Sequence, residues 1–189
     1  MTQFIAHTAA NNQRKNLASQ KDPLQEPEIR LTTRKTPQQI REIIAVAENF
    51  PLERIIRRYI ADKCVDPEVA ASHARELKRF LALSAIYDGP LAMRGPVDDF
   101  WHTFLLFTEQ YHSFCNDVAG TFLHHVPHAD DAPSCRSATD TTRFNLAYAA
   151  TFGQAPDAAL WPEAGYSPCL ICLALCGSHN CSVTAGTAL

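Results

Sequence analysis

A chain of 189 residues, 46% hydrophobic and 20% charged, is the size of one ordinary domain with a sizeable core. Its formal net charge of −3 gives no general electrostatic reason to expect nucleic acid or an anionic membrane surface as a partner. No apolar run reaches membrane-span length and the first residues hold no signal-type apolar segment, so a cytoplasmic protein is expected. The cysteines number seven, with four in the last 21 residues. An odd count without a signal segment argues against a secreted disulfide framework; such thiols read as metal ligands, redox groups or small core residues.

In chain order, residues 1–35 are rich in Asn, Gln, Lys, Thr and Pro without hydrophobic period, which predicts a flexible leader. Thr36-Pro37-Gln38-Gln39 has the form of a capping box with proline at the first helical position. The helix it opens turns Ile40, Ile43, Ile44 and Ala47 inward. After Pro51, the residues Leu52, Ile55, Ile56, Tyr59 and Ile60 form a second stripe, with Arg54, Arg57, Arg58 and Lys63 facing away as a solvated basic face. Asp66-Pro67 repeats the cap-plus-proline start. The third helix runs to about Tyr87 with Val69, His73, Leu77, Phe80, Leu81 and Ser84 on one side, His73 reading as a hydrogen-bonded core residue. Gly95-Pro96 opens a fourth helix over roughly 96–118, with a heavy aromatic face made by Phe100, Trp101, Phe104, Tyr111 and Phe114. A short extended segment follows around 121–127, then a polar loop. A fifth helix is capped by Asp140 and ends near Phe152. The expected class is all-α: a compact bundle of about five helices with flexible N- and C-terminal segments. The expected organisation is a leader (1–35), a helical domain (36–162) and a Cys-rich tail (163–189).

The chemistry concentrates between Asp98 and His128, where five of the eight histidines fall within 27 residues. Asp98 and His102 are four apart and share a helical face. Neutral imidazole and carboxylate are ligands that zinc and non-haem iron accept, and two His with one carboxylate leave open positions for water or substrate. On a continuous helix His102 and Glu109 lie about 10.5 Å apart along the axis, so one ion cannot easily take both. The site therefore needs His102 and Asp98 plus a histidine folding back from His124 or His125. In an extended strand these two point to opposite sides, so one of them is expected to serve directly. Glu109, His112 and His128 rank second. Glu109-x-x-His112 lacks the second such motif that a ferritin-like di-iron site requires. Asp98 and Asp99 also complement the dipole of a helix start without any metal. Cys115 lies on the aromatic face and reads as a core thiol.

The string Val97-Asp98-Asp99-Phe100-Trp101-His102-Thr103-Phe104 continues through Thr108, Tyr111, Phe114-Cys115, Gly120 and Phe122-Leu123-His124-His125-Val126-Pro127. With the later Phe152-Gly153 and Trp161-Pro162, it resembles the glycine-rich domain-containing protein-like family over about 97–162. The resemblance picks out Asp98, Trp101, His102, Tyr111, Cys115, His124, His125 and Pro127, but neither His112 nor His128. Plant members of that family carry glycine-rich regions and are linked to development and stress. This chain has seven glycines and no such region, so those roles do not transfer.

In the tail, Cys169, Cys172 and Cys176 fall on one face if helical, and Gly177 would then bring His179 or Cys181 around. Such soft ligands suit zinc, copper(I) or an iron–sulfur cluster, although the spacing matches no standard finger or ferredoxin pattern. The same residues also read as a short apolar terminal helix.

No reaction can be read from these features, and no glycine-rich phosphate loop points to a nucleotide cofactor. The leading expectation is a helical domain that binds a transition metal, zinc or iron, through its His/Asp cluster, as a small metalloenzyme of unassigned substrate. The alternative is a non-catalytic protein-interaction module with a Cys-rich metal-binding or redox tail. Partners are then a protein or a small molecule, with neither nucleic acid nor a membrane span.

Overall fold

The computed structural model describes residues 29–127, 134–162 and 181–185. Six helices occur among the described residues: α1 (Pro37–Asn49), α2 (Glu53–Lys63), α3 (Pro67–Ile86), α4 (Pro96–Leu105), α5 (Thr108–Ala119) and α6 (Ser134–Phe152). Three short strands, β1 (Ala92–Met93), β2 (Leu123–Pro127) and β3 (Cys181–Ala185), form a small antiparallel sheet in the order β1-β3-β2. The fold is therefore mostly helical, as expected. No described helix is long and apolar enough to cross a membrane.

The helix starts follow local chemistry. The Thr36 hydroxyl accepts from the Gln39 N–H while the Gln39 side chain accepts from the Thr36 N–H, completing the capping box. Such a cap is worth about 1 kcal/mol. Asp66 accepts from the Glu68 N–H ahead of Pro67 and opens α3 in the same manner. At the other end of α2, Cys64 takes the left-handed conformation at φ 51° and turns the chain toward that second start.

α3 is the hub, packing against α1, α2, α4 and α5. Its Leu77, Phe80 and Leu81 are fully buried, and each such side chain contributes about 1.5–3 kcal/mol through removal from water. Phe80 touches the rings of Trp101, Phe144 and Trp161, so one residue joins α3 to α4, α6 and the segment after α6. Val69, expected inward, is 43% exposed, because the buried stripe of α3 begins one position later at Ala70.

Two expected elements differ. The single helix over 96–118 is two helices. The Leu106 N–H bonds to the Thr103 carbonyl and the Phe107 N–H to the Phe104 carbonyl, a tightened turn that ends α4 and leaves Leu106 on an exposed corner. Phe107 then opens α5, with its carbonyl accepting from the Tyr111 N–H. The last expected helix begins at Ser134 instead of Asp140. Asp140 lies inside α6, buried, and pairs with Arg143 at 3.0 Å rather than capping. Arg143 in turn donates to the Pro90 carbonyl and ties α6 to the approach to β1.

Buried charge also joins α3 to α6. Glu76 accepts from the Tyr148 hydroxyl at 3.0 and 3.2 Å, from the Trp161 indole N–H at 2.9 Å and from Arg79 at 2.9 Å. Burial, then the Glu76 carboxylate, push the Tyr148 phenol above its ordinary range, so it stays a donor.

His73 is buried on α3 with Nδ1 3.0 Å from the Tyr59 hydroxyl. Burial pushes its pKa below the ordinary 6.5, with the Asp99 charge opposing. The unfolded chain therefore takes up this proton first as pH falls, and stability declines from about 6.5 downward while staying level above it. Urea midpoints measured at about pH 7 and about pH 5.5 are expected to fall more for wild type than for His73→Asn. Equal slopes for the two would refute this role.

Candidate functional site

Gly95 precedes α4 with φ 74°, ψ −162°, and Pro96 occupies the first helical turn. This start places Asp98 on the inner face, where its N–H bonds to the Gly95 carbonyl at 3.1 Å. His102 follows one turn later on the same face. β2 supplies the third group. Residues alternate along a strand, so Leu123 and His125 share one face and His124 takes the other. Leu123 is fully buried, and His125 turns inward beside it with a side chain 6% exposed.

Asp98 Oδ1 and His125 Nε2 are 2.9 Å apart. The rings of His102 and His125 have centroids 4.6 Å apart. One ligand atom from each of Asp98, His102 and His125 can be chosen so that all three lie within 4.8 Å of one another. Trp101 closes one side, with its ring centroid 4.3 Å from that of His125. At the outer lip Lys63 reaches across from α2 to Asp99 at 3.3 Å.

Burial pushes the His102 pKa below its ordinary value; the Asp98 carboxylate opposes this and the neighbouring His125 reinforces it. The neutral imidazole, the form that binds a metal ion, is thereby favoured. The donor set suits zinc or iron: two borderline nitrogen ligands and one hard oxygen. The three groups need to close by about an ångström or less to share an ion at bonds of about 2.0–2.2 Å.

The other candidates lie elsewhere. His124 is exposed and packs on Phe122 with centroids 4.9 Å apart. Glu109 is exposed in the first turn of α5. His112 is exposed on α5, with Nδ1 3.1 Å from the Asn116 amide. His128, Cys169, Cys172 and Cys176 fall outside the described residues. The backbone of Cys181 begins β3, opposite Met93 on one side and Pro127 on the other.

Sequence reasoning missed the buried charges. Glu76 stands three residues after His73 and four before Phe80, on the apolar stripe itself, and that placement was the available signal. Arg94, which donates to the Pro162 carbonyl at 2.6 Å, gave no comparable sign.

Fold and site together define a small, mostly helical protein with an Asp-His-His cluster between a helix start and a short strand. The chain belongs to the UCP032817-like family, whose model matches residues 42–150 and so includes all three cluster residues. This corrects the resemblance to the glycine-rich domain-containing protein-like family. The WH and HH-x-P strings that suggested it span a few core and cluster positions, whereas the family match runs from α1 to α6. No curated protein and no solved structure matches the chain.

Proposed function

We propose that this protein binds a divalent transition metal, zinc or iron, through Asp98, His102 and His125. The observation that carries the reading is the convergence of these side chains from two separate elements, with ligand atoms within 4.8 Å of one another. A hydrogen-bonded Asp–His pair alone would account for Asp98 and His125, but it leaves the second imidazole beside them without a role. A bound ion would supply Lewis-acid or redox activation, since three protein ligands leave coordination positions for water or substrate. The chain's own residues then have definite tasks. Asp98 and the two imidazoles hold the ion, and Trp101 keeps one side of His125 dry. The Lys63–Asp99 pair joins α2 to the helix turn that carries the ligands.

Metal analysis of protein purified without an affinity tag tests this. Wild type reconstituted with zinc or with iron(II) under anaerobic conditions is expected to retain about one equivalent after gel filtration. Asp98→Ala, His102→Ala and His125→Ala are expected to lose at least tenfold in affinity, while His124→Ala and a variant with Cys169, Cys172, Cys176 and Cys181 all changed to Ser load as wild type. Absence of stoichiometric metal in wild type would falsify the reading. Metal that departs with the four cysteines but survives the histidine changes would sink it equally.

A further inference from the structure

β2 lies at the edge of the sheet, with β3 pairing along one side of it. An edge strand has unmatched N–H and C=O groups on its other side. At Leu123 those groups are taken up by side chains of α5. The Tyr111 hydroxyl donates to the Leu123 carbonyl, and the Leu123 N–H donates to Cys115 Sγ at 3.5 Å. Tyr111 and Cys115 are one helical turn apart and both fully buried, so they form a fixed pair of contacts that stands in for a neighbouring strand. Tyr111 is itself held edge-on against Phe104 of α4, the helix that carries Asp98 and His102. Both halves of the cluster are thus referenced to the same helical frame.

From this geometry, and on the basis of the metal-binding reading, we infer that Tyr111 and Cys115 are positioning residues for the Asp98–His102–His125 site, acting through the backbone of Leu123. Holding both polar groups of one residue fixes the position of the strand along its length. His125, two residues on, shares the face of Leu123 and is thereby aimed at Asp98. A slip of one residue would turn His125 outward and His124 inward, because side chains change face at every position. Burial, and then the neighbouring Cys115, raise the Tyr111 phenol above its ordinary range. Burial raises the Cys115 thiol too, against its hydrogen bonds with Leu123 and Tyr111. Both groups therefore stay protonated and neutral at the strand.

Cobalt(II) is the probe, because its visible absorption reports ligand geometry as well as affinity. Full-length Tyr111→Phe and Cys115→Ala are expected to bind it about tenfold more weakly than wild type with a shifted d–d band, the usual scale for losing a group that orients a ligand. Cys115→Ser, which keeps an acceptor for the Leu123 N–H, should recover part of the loss. Ile55→Val, buried on α2, serves as a variant that lowers stability without touching β2, and should bind as wild type. Cobalt binding within twofold of wild type and an unchanged band in both Tyr111→Phe and Cys115→Ala would overturn the inference, as would equal weakening by Ile55→Val. In metal-free protein, the His125 ring-nitrogen resonances should move in Tyr111→Phe and Cys115→Ala but not in Ile55→Val. If wild type takes up no cobalt, the metal reading fails and these resonances still decide the positioning role. Unmoved resonances overturn it.

Discussion

Replacing Glu76 with alanine should lower stability by about 3–5 kcal/mol, the usual consequence of removing one partner from a buried ion pair. Glu76 is 4% exposed, and its carboxylate accepts from three side chains: Arg79 on its own helix, Tyr148 on α6 and Trp161 beyond it. Truncation removes these acceptors together. It strands the Trp161 indole N–H and leaves the Arg79 charge, 21% exposed, without its carboxylate. Glu76→Gln keeps the size and an acceptor oxygen, so its loss should be about 1.5–3 kcal/mol, the range of a hydrogen bond to a charged group. Urea unfolding followed by helical circular dichroism measures both. A Glu76→Ala variant within about 1 kcal/mol of wild type would show that the carboxylate contributes little beyond what its desolvation removes.

Gly95→Ala is the second large effect, and it should reach the candidate site as well as the fold. At φ 74° and ψ −162° the backbone is in a region that is essentially glycine's alone, and entering it costs other residues about 1–3 kcal/mol. The added methyl group would also stand 2.6 Å from Pro162 Cδ and 2.9 Å from the Leu160 carbonyl oxygen. Overpacking of that kind adds about 1–3 kcal/mol. The sum is a loss of roughly 2–6 kcal/mol. Gly120→Ala provides the comparison. It too has a positive φ, 68°, but nothing lies within 4 Å of a methyl group there, so about 1–2 kcal/mol is expected. Because Gly95 sets the start of α4, relief of the clash by movement of that turn would displace Asp98. Metal affinity should therefore drop in Gly95→Ala and hold in Gly120→Ala. Equal melting temperatures for the two variants would remove the steric argument.

The sequence was legible where the physics is local. Thr36 and the Asp66-Pro67 pair announce helix starts through bonds spanning two or three residues, and they cap α1 and α3. Asp98 and His102 could be paired because four residues close one helical turn. Strand alternation separates His125 from His124, but that rule alone does not say which of the two faces inward. That is settled by Leu123, held from α5 two residues upstream. The break between α4 and α5 was hidden because Leu105, Leu106, Phe107 and Thr108 include neither glycine nor proline. Burial of Glu76 and Asp140 was hidden for a different reason. Periodicity assigns charged residues to solvent. The groups that receive Glu76 from other elements stand far along the chain, up to 85 residues for Trp161, and Arg143, the near partner of Asp140, is itself tied to distant Pro90. β3 was the least visible element, since a short strand is defined by distant partners more than by its own residues.

The position of β3 in the sheet has a consequence for the order in which the molecule is completed. β1 and β2 are joined through β3, which follows both in the chain. As the polypeptide emerges during synthesis, all six helices precede β3 and can pack before it, while the two outer strands await their common neighbour. Pairings between distant segments close slowly. Asp98 and His102 therefore come to rest with the helical layer, and His125 gains its final support only when the sheet closes. Metal uptake on this route would mark a finished fold rather than nucleate one.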